Sequence, residues 1–250
     1  MKLLGIRIDE ITMQQAEEKT TEFFVSPGQK MIFTPNPEML VDAQTDKYFQ
    51  QVLNRGSLNI CDGVGLRLVT RGKLEKISGA DFLLKVCQQA VARGQSVYLL
   101  GSGSKETIET AAKHLLELIP GLAIAGFHPG LVIGYLPWNN EAIEYNQAEN
   151  REIISRINRS GPAVLFVGFG HRKQEKWIFE NLKYLPTVKI AMGVGGAFDF
   201  LSGKVVRAPL SWQNHGLEWL WRFLHEPWRI KRIWKATVNF IWIYVSQKRK

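Results

Sequence analysis

A mostly parallel α/β sheet flanked by helices, with a C-terminal helical appendage, is the fold class the 250-residue sequence predicts. Three observations predict it. Short β-branched runs alternate with amphipathic stretches across residues 1–200, the pattern of successive βα units. Four of these runs end in turns that open a helix, TPNPE, CDGVG, GSGSKE and GFGHRKQE, each with the Pro, Asp, Ser or early Glu of a helix start. From about residue 206 this pattern stops and a basic, tryptophan-rich tract begins. The expected units are a Rossmann-like core over 1–205 and an appendage over 206–250, because this length suits one large domain with an attachment better than two full domains.

The runs expected to be strands are 2–8, 30–34, 57–61, 96–101, 122–127, 162–167 and 188–192. In open α/β sheets ligands bind beyond the carboxyl ends of the strands, so the four helix-opening turns should face one crevice. The one long irregular stretch, HPGLVIGYLPWNN at 128–140, reads equally as a flap over that crevice or as an inert insertion.

The first residues, MKLLGIRIDEITM, break their apolar stretch with Arg7, Asp9 and Glu10, unlike a secretory leader, so a cytoplasmic protein is expected. Cys61 and Cys87 have neither metal-ligand nor redox spacing and read as reduced, buried residues. The net charge is +9, and its distribution matters more than its size. Residues 204–250 hold ten Lys or Arg against two acids, Glu218 and Glu226, together with six of the eight tryptophans. The longest clean apolar run there, Ala236 to Val245, contains Asn239 and is about half of the ~20 residues that span a bilayer. Cations interleaved with Trp, Ile and Leu compose an interfacial helix that lies on a membrane. Bulky aliphatics such as Leu220, Ile230 and Ile241 are not what a phosphate-tracking surface needs, so nucleic acid is disfavoured as a partner.

Gly101-Ser102-Gly103, Gly168-Phe169-Gly170 and the turn Gly193 to Gly196 invite a dinucleotide reading, but Glu106, Lys173 and Phe198 take the third fingerprint position. These glycines read instead as tight turns or close packing. Asp62 follows the run SLNIC and precedes Gly63. It is either the cap of the next helix or a carboxylate at a strand tip, where a general base facing the crevice would sit. Thr34 and Asn36 at the neighbouring strand end could hydrogen-bond a sugar or simply build a Pro-bracketed turn. No Asp-x-Asp occurs and the five histidines show no ligand pairing, so no metal is indicated. Departing phosphate charge would then fall to Arg, Lys or backbone N–H groups, and Arg207, Arg222, Arg229 and Arg232 are available for it. Arg222, Arg229 and Arg232, spaced seven and three apart, would share a helical face.

Seven ordered blocks make the sequence similar to the WecG/TagA/CpsF family of glycosyltransferases over nearly its whole length. They are Thr34 to Glu38, Asp62 to Gly65, Ser78 to Asp81, Gly168 to Gly170 with Lys173 to Trp177, Gly193 to Asp199, Arg207 to Pro209, and Gly216 to Trp219 with Arg222, Glu226 and Pro227. The resemblance implies an inverting, metal-independent enzyme without a cofactor. It would move a sugar, commonly of N-acetylmannosamine type, from a UDP-sugar donor to a polyprenyl-diphosphate-linked acceptor in bacterial surface-polymer synthesis, at the inner face of the membrane. By the same resemblance Asp62 is the base, with Thr34 and Asn36 beside it. Gln174 and Asp199 help to hold the UDP-sugar, Gly168, Gly170 and Gly195 shape its site, and Arg222, Arg229 and Arg232 meet the departing diphosphate. Two features depart from the family: Lys76 stands where Arg is frequent before the Ser-Gly block, and the stretch holding Tyr135 is long. A membrane-peripheral nucleotide-sugar-binding protein without transfer activity is the alternative class.

Overall fold

The chain begins with a hairpin in place of the single strand expected over 2–8. Leu4 and Gly5 both take positive φ, 47° and 82°, the geometry of a two-residue hairpin turn. As a result β1 (Lys2–Leu3) pairs antiparallel with β2 (Ile6–Arg7), apart from the main sheet. The computed structural model describes residues 1–136 and 139–248. Next come α1 (Met13–Val25), β3 (Lys30–Phe33), α2 (Pro37–Thr45), α3 (Lys47–Asn54), β4 (Leu58–Asn59), α4 (Val64–Val69), α5 (Gly79–Val91), β5 (Ser96–Gly101), α6 (Lys105–Leu118) and β6 (Ala123–His128). They are followed by β7 (Gly134–Leu136), β8 (Asn139–Glu144), α7 (Gln147–Ser160), β9 (Val164–Gly168), α8 (Lys173–Asn181), β10 (Ile190–Gly193) and α9 (Ala197–Leu201). The C-terminal segment contains α10 (Leu210–Asn214), α11 (Glu218–His225), α12 (Ile230–Trp234) and α13 (Phe240–Lys248), with a 3-10 turn at Pro227–Arg229 and a π turn at Lys235–Asn239.

Helix starts follow the signals read from the sequence. Thr12 and Gln15 form a reciprocal capping box on α1, and the Ser104 and Asn146 side chains accept N–H bonds at the starts of α6 and α7. The stretch 128–140 is more ordered than expected, because from Gly134 it pairs antiparallel with β8 as a hairpin. Residues 137 and 138 lie outside the described residues.

The six main strands run parallel in the order β4-β3-β10-β9-β5-β6. Alternate residues go to opposite faces, and both faces are covered, as a parallel sheet requires. Phe33, Leu100, Leu165, Val167 and Ala191 pack with α2, α3 and α8 through Leu40, Phe49 and Trp177. Ile32, Leu99, Val164, Phe166 and Ile190 pack with α1, α5, α6 and α9 through Ala16, Phe82, Ile108 and Phe198. The helices after β3 and β9 thus lie on one face and the helix after β10 on the other. That parting of the connections on either side of β10 opens a crevice at the strand ends.

Candidate active site

The crevice is a cavity of ≈ 700 Å³ lined from several strand ends, among them Thr34, Asn36, Asp62, Gln174 and Asp199. Asp62 lies just past β4, where its N–H donates to the Pro35 carbonyl at 3.0 Å and Ile77 N–H donates to the Cys61 carbonyl at 2.8 Å. These bonds pin the strand tip between its neighbours. Gly63, with φ 139°, is the N-cap of α4 and no side chain caps that helix, so the capping alternative for Asp62 does not hold. Pro37 accounts for Gly63, because a Cβ there would stand 2.9 Å from the proline Cδ.

The only hydrogen bond of the Asp62 carboxylate among the described residues is a long one, Gly79 N–H to Oδ2 at 3.4 Å. Its pKa is pushed up to about 6, first by burial and then by the nearby Glu218 carboxylate, against the opposing pull of Lys76 and the Gly79 N–H. It is therefore mostly ionised at neutral pH, yet far more basic than an ordinary aspartate. Lys76 Nζ donates to Glu218 Oε2 at 3.3 Å, and both residues line the crevice. The sequence reading singled out neither for this place. In the sequence Lys76 stands out only as a departure from Arg, and Glu218 only as an acid in a basic tract and a member of the Gly216–Trp219 block.

The other expected residues are gathered at the same crevice but differ in what their polar atoms are free to do. Thr34 is buried at its wall. Asn36 caps α2, its Oδ1 accepting from Met39 N–H at 3.0 Å. Gln174 is only 2 % exposed. Its Oε1 accepts from Gly195 N–H at 2.9 Å and its Nε2 donates to Glu175 Oε1 at 2.7 Å, so its amide is engaged in holding the Gly195 turn. Gly168, Gly170 and Gly195 line the cavity. At Gly168 the packing explanation applies, since a Cβ would stand 2.7 Å from the Phe198 ring. Asp199 lies in the first turn of α9, 3.9 Å from Lys204 Nζ.

The arginines do not share one helical face. Glu226 and Pro227 interrupt the helix, leaving Arg222 on α11, Arg229 at the end of the 3-10 turn and Arg232 on α12. Arg222 and Arg232 nonetheless both line the crevice; the Arg229 side chain lies outside what the structure describes. Arg222 lies over the Phe200 ring at 4.9 Å and bonds Glu226. Arg232 grips Glu38 with two nitrogens, Nε to Oε1 at 3.0 Å and Nη2 to Oε2 at 2.9 Å.

Glu38, Asp42 and His171 bring ligand atoms within 4.8 Å of one another, the one such group among the described residues. Two of these residues come from successive turns of α2 and the third lies more than a hundred positions away, so sequence spacing gave no sign of it. Its negative charge is already met by the appendage, through Arg232 on Glu38 and Lys235 on Asp42. Burial works to raise the Asp42 pKa, but the bonds from His171 and Lys235 outweigh it and hold the carboxyl below its usual range. Arg207 makes a similar tie, donating to both Asp81 oxygens at 2.6 and 2.7 Å. Both residues were in the matched blocks, and their opposite charges were a signal that could have paired them.

A parallel sheet whose end crevice joins one underused carboxylate to cationic side chains is the arrangement of an α/β enzyme. The sequence matches the family described as "Glycosyl transferase WecG/TagA/CpsF family" across residues 1–250, and the chain belongs to that family. It is a glycosyltransferase. Among its relatives is the N-acetylglucosaminyldiphosphoundecaprenol N-acetyl-beta-D-mannosaminyltransferase of Staphylococcus aureus strain MW2, 28% identical over 99% of this chain and 93% of the relative. The protein of the same name from strain MRSA252 is 29% identical over the same shares.

Proposed function

We propose that the enzyme transfers an N-acetylmannosamine-type sugar from a UDP-sugar to a polyprenyl-diphosphate-linked N-acetylglucosamine, by one inverting displacement without a metal ion. The acceptor and the sugar are those in the relatives' names. The observation that carries the chemistry is the Asp62 carboxylate, which has one long internal bond and a raised pKa and lines the crevice that Arg222 and Arg232 also line.

In this reading Asp62 takes the proton of the acceptor hydroxyl as its oxygen attacks the anomeric carbon. The bond from that carbon to the diphosphate breaks, UDP leaves, and the proton stays on Asp62. A single attack opposite the leaving group inverts the anomeric centre. Arg222 and Arg232 meet the growing charge on the diphosphate, and for Arg232 this means exchanging Glu38 for phosphate oxygens. Thr34 and Asn36 flank the reacting sugars, while Asp199 and the Gln174-braced Gly195 turn hold the donor. Support for doing without a metal comes from the missing Asp-x-Asp in the sequence and from the Arg232 and Lys235 cations already seated on the Glu38–Asp42–His171 group.

Residues 206–250 act, in the same proposal, as a unit that covers the crevice and lies on the inner face of the cell membrane. No helix among the described residues is long and apolar enough to cross a membrane, while Trp228, Trp234 and Trp242 are 72%, 58% and 70% exposed, as headgroup-level indoles would be. The direct experiment is UDP release by the purified enzyme from a panel of UDP-sugars with a detergent-dispersed N-acetylglucosaminyl-diphosphate prenol. Release that depends on acceptor and on Asp62 is expected; no acceptor-dependent release with any UDP-sugar would overturn the assignment.

A further inference from the structure

A second cavity, ≈ 590 Å³, adjoins the crevice and shares Val64, Lys76, Ser78 and Gly216 with it. Its other walls include Arg67 on the last turn of α4 and Arg71 just beyond, where the chain takes the left-handed conformation (φ 55°). Neither guanidinium has a hydrogen-bond or ion-pair partner among the described residues, unlike those of Arg207, Arg222 and Arg232. The one acid on the wall, Asp81, is already neutralised by the two bonds from Arg207. The cavity is therefore a positively charged recess with spare donors, separated from Asp62's crevice only by a shared wall that includes Lys76.

Its other character is apolar. Met13 and Leu68 line it, and Leu68 is 69% exposed. The Val69 carbonyl that follows accepts a hydrogen bond from Tyr244 Oη on α13 at 3.0 Å, so α4 lies against the segment that carries the exposed tryptophans. Spare guanidinium donors beside an apolar lip match a diphosphate whose far side is a hydrocarbon chain.

We propose that this recess seats the diphosphate of the lipid-linked acceptor, with Arg67 and Arg71 on its phosphates, the first hydrocarbon units against Leu68, and the sugar passing Lys76 to Asp62. The proposal rests on the transfer reading above and adds the acceptor's own subsite, separate from the arginines that face the donor.

The test uses the full-length enzyme and a short-chain prenyl-diphosphate N-acetylglucosamine. Both arginines are exposed, so the double variant Arg67→Gln, Arg71→Gln should fold normally, and Arg67→Lys, Arg71→Lys keeps the charge as a control. Losing two charge-assisted contacts should raise the acceptor KM on the order of tenfold or more, leave the donor KM unchanged, and be partly rescued by lysine. Equilibrium binding of the acceptor to Asp62→Asn enzyme, with and without the two Gln substitutions, should fall by the same factor. An unchanged acceptor KM and binding in the Gln variant would overturn the subsite while leaving the transferase reading intact. A loss confined to flotation with phosphatidylglycerol vesicles, with the detergent-dispersed acceptor bound normally, would also overturn it and mark the arginines as a general headgroup contact. Arginine-dependent acceptor binding without transfer from any UDP-sugar would instead uphold the subsite and sink the transfer reading.

Discussion

Lys76 from the core and Glu218 from the appendage meet at 3.3 Å inside the crevice that holds Asp62. They push the Asp62 pKa in opposite directions, Glu218 upward and Lys76 downward. The C-terminal segment, through Glu218, therefore contributes to the basicity of Asp62, the proposed base. As the proposed base, Asp62 would act in its ionised form, so the rate should fall as pH drops through about 6. Glu218→Gln removes a negative charge, which makes the carboxylate easier to form and should move the acid limb of kcat/KM to lower pH. Lys76→Met should move it to higher pH. Measured pH–rate profiles check both signs, and a limb that stays in place in both variants would detach it from Asp62.

Asp62→Asn keeps the shape and the single Gly79 bond but cannot accept a proton. A drop in kcat of roughly 10²–10⁴-fold is expected, the usual size of a general-base contribution, with UDP-sugar affinity close to wild type. Near-normal turnover in single-turnover assays would end the assignment of Asp62 as base.

The bidentate grip of Arg232 on Glu38 and the Lys235–Asp42 contact tie the appendage to α2. Glu38→Gln combined with Asp42→Asn should leave both cations without a carboxylate and loosen that tie. Limited proteolysis should then cut within 226–248 several-fold faster than in wild type, and saturating UDP should slow cleavage if Arg232 takes diphosphate in place of Glu38.

Deleting the appendage is a poor test of membrane docking, because Phe240 is fully buried in the core and its loss would leave a cavity. Trp228→Ser and Trp242→Ser instead remove exposed indoles. Each should weaken partition onto anionic vesicles by roughly tenfold, the scale of burying one large apolar side chain, without lowering the melting temperature by more than a degree or two. Vesicle flotation and thermal unfolding measured side by side separate the two effects.

Much of the fold was legible because hydrophobic period and turn chemistry are local. The six main strands fall on predicted runs, with 96–101 matched end to end. The N-terminal run failed because its periodicity cannot show that Leu4 and Gly5 reverse the chain. The hairpin after 134 was missed because its strands are short and weakly patterned. At the site, sequence order alone places Asp62 and Thr34 at strand ends facing the crevice, whereas Gln174 and Asp199, on α8 and α9, were indicated only by the family resemblance; all four line the cavity. The helical face expected to join Arg222, Arg229 and Arg232 does not form, because Pro227 breaks the helix, and packing brings Arg222 and Arg232 to the crevice.

By itself the sequence determined the alternation of strands and helices, the strand-tip carboxylate, the family and the concentration of cations and indoles near one end, all written in neighbouring residues. Only the tertiary structure decided which distant groups meet: Glu218 with Lys76 beside Asp62, Arg232 with Glu38, and the Arg67–Arg71 turn with Met13 and Asp81 around the second recess. Charge acts through space and burial, so the basicity of Asp62 and the partners of each guanidinium depend on separations that chain order does not encode.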